Sequence, residues 1–350
     1  MQSSNGSGPP LVSVIVPTYN YGHLISETLT CLQSQSYENW EGIIVDDGST
    51  DNTAAVVEAA AASDPRIRYF KQENQRQGAA RNLGIKQSRG NYLQFLDSDD
   101  LLERKKLELH VRFLEGHPEV DIVYSGVRYF STDNPDERLV SRRYSMWDDG
   151  GAWMPEISGQ GSSILPVLLR NNIMVVNAPL VRRSVIEKAG AFDVALTPVE
   201  DWQYWIRCAA AGSTFHYDDG QESMALVRSH ELSASADGRR MLRAAVRMRS
   251  GLAAVELSAE MQQLNQQLLA EAKGLLGVEE VINGNLLKGM KQIFSAALSD
   301  NRPRCKGKWL LCAVSAPFVS NERLHEMVTS SVTGSLAGIF AKPKTKNSRD

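Results

Sequence analysis

The amino-terminal part of the chain alternates between short apolar runs and segments with helical character. The apolar runs have the length of buried strands and lie at Leu11–Val16, Ile43–Val45, Ile67–Phe70 and Tyr92–Leu96. The helical segments between them lie at Ile25–Ser34, Thr53–Ala62 and Ala79–Gln87. Strands that alternate with helices in this way predict right-handed crossover units and a parallel sheet.

The pattern becomes less regular after residue 100. Helical spacing from Leu102 to Glu115 precedes another strand at Val120–Tyr124. From about Ser131 to Gly161 the sequence is charged and contains Gly, Trp and Pro, which is typical of a long connection that covers or shapes a site. Three shorter structured segments are predicted at Ile164–Leu169, Ala178–Val181 and Trp202–Ala211.

The carboxy-terminal third has a different composition. The stretch from Arg239 to about Leu298 is rich in Ala, Leu, Gln and Glu, which predicts an appended helical region. Between Asn301 and Asp350 there are nine Lys or Arg residues against three acids, and the basic start of this tail adjoins the apolar Trp309–Val319. Such a pairing could dock on an anionic membrane. A buried final helix with a disordered basic tip is an equal alternative.

Composition narrows the class of protein. With 350 residues, 42% hydrophobic and 23% charged, the chain can bury a large core and is expected to hold one substantial domain plus an extension. A net charge of −3 argues against a general nucleic-acid binder. The four cysteines lack metal-ligand spacing and are expected to be reduced thiols of a cytoplasmic protein. Neither a signal peptide nor a membrane-spanning segment is predicted.

Acidic residues stand where two of the predicted strands end. Asp46 and Asp47 follow the second strand, and Asp97, Asp99 and Asp100 follow the fourth. The carboxyl ends of parallel strands meet at one edge of a sheet, so these carboxylates are expected to converge. Because carboxylates repel one another unless a cation lies between them, and hard oxygen ligands suit Mg²⁺ or Mn²⁺, the sequence predicts a divalent-metal nucleotide site.

Five motifs occur together and in a fixed order: Val12–Asn20, Val45–Asp51, Gly78–Asn82, Leu96–Asp100 and Glu200–Trp202. In this order and spacing they resemble family 2 inverting glycosyltransferases with the A-type nucleotide-sugar fold. The resemblance covers about residues 11–235. It implies an α/β fold with a Rossmann-like, mostly parallel sheet flanked by helices, followed here by a helical C-terminal extension.

The resemblance also implies a domain plan. We expect a disordered N-terminus at residues 1–10 and a catalytic domain at 11–238. Within that domain, 11–125 would be the nucleotide-binding half and 126–238 the acceptor half. Residues 239–350 would form the helical region with its basic tail.

The resemblance assigns candidate residues to the donor and the metal. Asp97 and Asp99 match the metal motif, with Asp99 the first choice for direct coordination, and a bound ion would stabilise the departing diphosphate. From its chemistry, Asp47 can accept a hydrogen bond from a uracil imide while Tyr19 stacks on the base. The expected donor-binding residues are Pro17, Tyr19, Asn20, Asp46, Asp47, Gly78, Arg81, Asp97 and Ser98.

The acceptor side of the reaction needs a base to take the hydroxyl proton. In the family the aspartate of the Glu200–Trp202 motif performs this role, so Asp201 is the expected catalytic base. His230 is the third candidate for the metal, assisted by Arg228 or Ser233, although a lone histidine is as often structural. Asn172 and Asn177 are expected to border an acceptor pocket.

Structural interpretations compete with these roles. Asp97–Asp100 could be a solvated acidic turn, Asp47 a turn residue, Arg81 a surface cation and Asp201 a charge at a helix start.

At the level of function, we expect transfer from a nucleotide-diphosphate sugar, in particular a UDP-sugar, to a saccharide or lipid-linked acceptor in surface polysaccharide or glycolipid synthesis. The alternatives are a sugar-nucleotide nucleotidyltransferase and an inactive binding module. Against the former, Pro17–Gly22 carries no cation; against the latter, every acidic group is present.

Overall fold

The structure is a computed structural model that describes residues 8–133, 137, 139, 154–229, 238–320, 323, 324 and 327. The expectations for residues 1–7, for most of the 131–161 connection, for His230 and Ser233, and for the tail beyond 327 lie outside these residues. The described chain forms two compact units. The first contains residues 8–229 except 165–172, and the second contains 165–172 and the chain from 238 onward.

The described residues form eleven strands and eleven α-helices. The strands are β1 (Val12–Thr18), β2 (Trp40–Asp46), β3 (Ile67–Lys71), β4 (Tyr92–Phe95), β5 (Leu101–Leu102), β6 (Ile122–Ser125), β7 (Val127–Phe130), β8 (Gly159–Gln160), β9 (Pro179–Arg182), β10 (Thr214–Asp218) and β11 (Ala225–Arg228). The helices are α1 (Ile25–Gln33), α2 (Thr53–Ser63), α3 (Arg76–Gln87), α4 (Lys106–Gly116), α5 (Gly161–Arg170), α6 (Arg183–Ala189), α7 (Glu200–Ala210), α8 (Gly238–Gly251), α9 (Ala259–Ile282), α10 (Leu286–Ser299) and α11 (Pro303–Ser315).

Eight strands make one central sheet, in the order β3-β2-β1-β4-β9-β6-β10-β8. Strands β3, β2, β1 and β4 are parallel, and so are β6 and β10. Strand β9 runs antiparallel to both β4 and β6, and β8 runs antiparallel to β10. The predicted mostly parallel α/β sheet is therefore confirmed, and its six like-directed strands end at one edge.

The central strands are apolar throughout because both of their faces are covered. Every residue of β1 and of β2 is buried. Helix α3 lies so close to β1 that a Cβ atom added at Gly84 would stand 2.3 Å from Ile15 Cγ2. A glycine at this position thus sets how closely the helix approaches the sheet.

Two local features differ from the sequence prediction. The helix expected from Leu102 begins at Lys106 instead, because Leu101–Leu102 pair with β11 as the short strand β5. Strand β11 also pairs with β7, which makes a second, three-stranded sheet. These short pairings join segments that are far apart in sequence, so local periodicity does not reveal them.

The second unit is helical, as expected for the C-terminal region. Its core is formed by α8, α9, α10 and α11. The indole of Trp309 packs on α9 at Gly274, where a Cβ atom would stand 2.3 Å from the ring. Among the described residues, every helix is either too short or too polar to cross a bilayer.

Candidate active site

The aspartate loop after β4 is held from several sides. The backbone N–H of Asp97 donates to Asn177 Oδ1 at 3.0 Å. The buried Asp100 carboxylate accepts hydrogen bonds from the backbone N–H of Arg228, at 2.7 Å, and from Asn177 Nδ2. Burial and the neighbouring Asp99 raise the pKa of Asp100 well above its usual range. Asp100 is therefore a structural anchor of the loop, whereas Asp97 and Asp99 are only partly buried.

Asn177 and Arg228 thus have different positions from those the sequence suggested. Asn177 is 1% exposed and both of its amide atoms are used by the aspartate loop and its flanks, so it does not border an open acceptor pocket. Arg228 donates to the Asp99 carbonyl at 2.9 Å and forms an ion pair with Glu27 at 2.7 Å. Arg228 thus contacts the backbone of this loop, and its assistance at the site stays a prediction.

Arg81 joins two candidate elements of the site. It is buried within α3, and its guanidinium contacts Asp97 at 2.8 Å and Glu200 at 2.7 Å. Glu200 also accepts a hydrogen bond from Gln77. The sequence suggested a cation presented directly to the donor, but in this structure Arg81 instead bridges the loop after β4 to the start of α7.

Asp201 lies in the first turn of α7, a helix that begins directly after Val199, whose φ of 82° is left-handed. Its carboxylate accepts a hydrogen bond from the backbone N–H of Trp202 at 2.7 Å. Burial and the adjacent Glu200 raise the pKa of Asp201 to about 6, with a smaller rise from Asp97 and an opposing effect of Arg81. The charges of Asp201, Asp97 and Arg81 therefore act on one another within a single cluster.

The two aspartates after β2 differ in how they are held. Asp46 is fully buried, and its oxygens accept hydrogen bonds from Ser49 N–H at 2.7 Å and from the Tyr69 hydroxyl at 2.6 Å. Asp46 therefore braces the loop and the neighbouring strand, and its full burial separates it from the exposed surface where a base would bind. Asp47 accepts hydrogen bonds from the Gln72 side-chain amide and from the Gln75 backbone N–H, and both reach Oδ1.

The loop after β1 carries the other expected base contacts. Tyr19 is 45% exposed, as a residue that stacks on a ligand would be in the unbound protein. Asn20 has a φ of 59°, and its Oδ1 accepts a hydrogen bond from the Thr50 N–H at 2.8 Å. Pro17 is buried at the end of β1, opposite Val45 of β2. The structure thus joins the loops after β1 and β2.

Ser98 and Gly78 also have defined surroundings. Ser98 is buried, and its carbonyl accepts a hydrogen bond from Thr28 Oγ1 at 3.0 Å. A Cβ atom added at Gly78 would lie 3.7 Å from the Asp193 carbonyl and 3.8 Å from Glu200 Cγ, which are ordinary contacts. The protein itself therefore does not require a glycine at position 78; only a ligand approaching the backbone would.

The carboxylates at this edge of the sheet fit a metal ion that is also bound by substrate phosphates better than an ion enclosed by protein side chains alone. Within the described residues, no group of three or more His, Cys, Asp or Glu side chains could hold a metal. Asp97 and Asp99 supply two partly buried carboxylates, and burial and Asp99 raise the pKa of Asp97. Mg²⁺ and similar ions are often held by one or two carboxylates together with substrate phosphates and water, which these residues could provide. His230 lies outside the described residues.

Sequence reasoning missed two contributors. The hydroxyl of Tyr21 forms a hydrogen bond with Asp99, and the nearby aspartates add to the rise of the Tyr21 pKa caused by burial. Gln77 lies near Gln75, the residue that contacts Asp47, and itself reaches Glu200. Nothing in the local pattern distinguishes these side chains from surface residues. Only their positions next to motifs could have drawn attention to them, because Tyr21 follows Val12–Asn20 and Gln77 precedes Gly78–Asn82.

Comparison with known proteins finds one family similar to the first part of the chain. Residues 13–165 match the family model described as glycosyl transferase family 2, which includes four of the five motifs but ends before Asp201. An uncharacterized glycosyltransferase of Rickettsia bellii is 39% identical over 130 residues, which are 37% of this chain and 18% of that protein. The putative teichuronic acid biosynthesis glycosyltransferase TuaG of Bacillus subtilis is 42% identical over 106 residues, 30% of this chain and 42% of that protein. The chain thus spans less than half the length of these relatives.

Solved structures show the same fold at low sequence identity. S. aureus TarS 1-349 in complex with UDP-GlcNAc has a TM-score of 0.61 at 20% identity, covering 91% of this chain and 89% of that chain. The mannosyltransferase PcManGT from Pyrobaculum calidifontis, in complex with GDP-Man and Mn²⁺, has a TM-score of 0.55 at 18% identity, covering 96% and 88%. Residues 13–165 thus match glycosyltransferase family 2, and the chain has the A-type fold of these solved structures.

Proposed function

We propose that the protein is an inverting glycosyltransferase that moves a sugar from a nucleotide-diphosphate donor, in particular a UDP-sugar, to a saccharide or lipid-linked acceptor. The pathway would be synthesis of a cell-surface polysaccharide or glycolipid, on the cytoplasmic side. One observation carries the proposal. Arg81 contacts both Asp97 and Glu200, so the carboxylate of the metal motif and the residue next to Asp201 are tied together by one buried side chain.

The proposed donor site uses the loops after β1, β2 and β4. Tyr19 would stack on the base. Asp47 Oδ2, which accepts no hydrogen bond from the described residues, would accept the imide N–H. Asp97 and Asp99 would hold Mn²⁺ or Mg²⁺ against the diphosphate. When bound, the ion would act as a Lewis acid that stabilises the leaving group.

Asp201 would act on the acceptor. Its pKa of about 6 keeps the carboxylate ionised near neutral pH and close to the pKa that suits a general base. The carboxylate would take the proton of the acceptor hydroxyl while that oxygen attacks the anomeric carbon. Attack from the side opposite the departing nucleoside diphosphate inverts the configuration. Arg81 and Glu200 would position Asp201 without touching the reacting atoms.

The proposal is tested first by ligand-dependent thermal stability. Nucleotide-sugars should raise the melting temperature only with Mn²⁺ or Mg²⁺ present, since a ligand at 100 times its Kd stabilises the native state by about 2.7 kcal/mol. Asp99→Ala should remove the metal-dependent part of this rise. Glu58→Ala, which removes an exposed carboxylate on α2, serves as the matched control.

The reaction products separate the two enzyme classes. A glycosyltransferase releases a nucleoside diphosphate from a nucleotide-sugar. A nucleotidyltransferase instead releases pyrophosphate from a nucleoside triphosphate and a sugar phosphate. Stabilisation by the triphosphate together with pyrophosphate release would overturn the proposal.

A further inference from the structure

The helical unit presents apolar side chains to solvent on two neighbouring helices. On α10, Leu287 is 84% exposed and Leu298 is 65% exposed, and Phe294 lies between them. These positions, with Lys291, follow the i, i+4, i+7, i+11 spacing of one helix face. On α11 and just after it, Leu311, Val314 and Phe318 are also exposed, Phe318 to 85%.

The two exposed stripes lie on the same side of the unit. Ile293 of α10 packs at Gly277 of α9, and Trp309 of α11 packs at Gly274. Because Gly274 and Gly277 are three residues apart, they lie on one face of α9. Both helices therefore bury one side against this face and direct the opposite side away from it. We call the outward surface the basic apolar face, formed by Leu287, Lys291, Phe294, Leu298, Arg304, Leu311, Val314 and Phe318.

The charge around this face has a single sign. Between Leu286 and Ser320 the sequence has six basic residues, at 288, 291, 302, 304, 306 and 308, and one acid, Asp300. Asp300 is buried and bound by Arg302 and by the Trp309 indole. Lys291, Arg304 and Lys306 are exposed. A second copy of the same face would bring like charges together, whereas an anionic surface complements them.

We propose that the basic apolar face docks on an anionic lipid membrane. Interfacial helices lie in the membrane plane with aliphatic and aromatic side chains inserted among the headgroups and with Lys or Arg along their flanks. The face has both features, and exposed aliphatic side chains of this size suit a lipid surface better than a polar ligand. The basic tail beyond residue 327, which the sequence suggested as the membrane contact, lies outside the described residues.

Vesicle binding tests this proposal without reference to glycosyl transfer. The full chain should cosediment with vesicles of phosphatidylglycerol and phosphatidylcholine, and much more weakly with phosphatidylcholine alone or at high salt. Lys291→Glu with Arg304→Glu should weaken binding at least ~10-fold, since each basic residue near an anionic surface contributes about 1 kcal/mol. Leu287→Gln with Phe318→Gln should weaken binding comparably, because buried apolar area adds to the electrostatic attraction.

Matched controls separate the face from overall charge and from folding. Lys86→Glu with Arg112→Glu makes the same charge change at exposed positions on α3 and α4, and should leave binding within about 2-fold. Circular dichroism should give an unchanged melting temperature for every variant, because the substituted side chains are exposed. Three results would overturn the proposal: no binding to anionic vesicles, loss of binding only on truncation after residue 320, or a dimer that Leu287→Gln with Phe318→Gln dissociates.

Discussion

Glu200 and Asp201 are adjacent in sequence but differ in what surrounds them. Glu200 is 1% exposed and accepts hydrogen bonds from Arg81 and Gln77, whereas Asp201 is only partly buried at the first turn of α7. Both hydrogen bonds of Glu200 reach Oε1, and its buried Oε2 has no hydrogen-bond partner among the described residues. A buried carboxylate that is held by a cation in this way positions other groups. A partly exposed one with a raised pKa can exchange protons with a substrate.

At this residue we expect Asp201→Asn to abolish most of the transfer while preserving donor binding. The amide cannot accept the acceptor proton, so kcat should fall by roughly 10²- to 10⁴-fold. The Kd for the nucleotide-sugar, measured by calorimetry, should change by less than about 2-fold, because Asp201 is assigned to the acceptor. Loss of donor binding would instead mean that Asp201 has a structural role.

The pKa of Asp201 also gives a pH prediction for the wild-type protein. We expect kcat/KM to rise through about pH 6 and then level off, because the carboxylate must be ionised to act as a base. The stability effect has the opposite sign. A raised aspartate pKa means that the native state binds more protons between the unfolded and folded values, so this contribution to stability is lost above pH 6. Asp201→Asn should therefore raise the melting temperature more at pH 8 than at pH 5.

At the scale of elements, helix α3 links the sheet to the site. Gly84 lets the helix lie against β1, and from this position Arg81, one turn earlier, reaches Asp97 and Glu200. The placement of the proposed catalytic cluster thus depends on a close contact between Gly84 and Ile15, which lie outside that cluster.

Two glycine substitutions on this helix should have different effects. Gly84→Ala should lower the free energy of unfolding by roughly 1–3 kcal/mol, because its Cβ would overlap Ile15 and overpacking forces shifts in the core. Gly78→Ala meets only ordinary contacts and should be neutral or stabilising by up to about 1 kcal/mol. Urea unfolding measures both. Equal destabilisation would contradict the assigned packing, and a loss of donor affinity in Gly78→Ala alone would support close approach of the ligand to this backbone.

At the scale of the whole molecule, the two units have separate hydrophobic cores. One core is built on the central sheet with helices such as α1 and α4, and the other on α8 to α11 around Trp309. The family match covers residues 13–165, which among the described residues lie in the first unit except for Leu165. The second unit therefore has to be understood from its own packing and surface.

Trp309→Ala should test whether the helical core is a separate unit of stability. Removing a buried indole typically costs roughly 3–5 kcal/mol, and Trp309 also donates a hydrogen bond to Asp300 at 3.1 Å. Hydrogen exchange should show loss of protection in α9 to α11, while the amides of β1, β2 and β4 retain theirs. Equal loss in both regions would mean that the units unfold together.

Most strands of the first half, and all of the acidic positions, could be predicted because their signals are local. Apolar runs of strand length separated by helical segments reveal the sheet, and parallel strands bring their carboxyl ends together. Strand β10 escaped prediction because Thr214–Asp218 mixes polar and aromatic residues, and β5 because two residues carry no periodicity. The antiparallel direction of β9 depends on how the chain returns to the sheet, which no local pattern records.

The sequence by itself determined the family resemblance, the sheet and the edge at which the carboxylates meet, because strand periodicity and motif order are properties of neighbouring residues. Only the tertiary structure decided how each carboxylate is used. Asp46 accepts a hydrogen bond from Tyr69, Asp100 from the backbone N–H of Arg228, and Glu200 from Arg81. These partners lie 23, 128 and 119 residues away in the sequence. Hydrogen-bond partners at such separations are fixed by packing. Packing therefore separates the carboxylates that brace the fold from those that remain at its partly exposed edge.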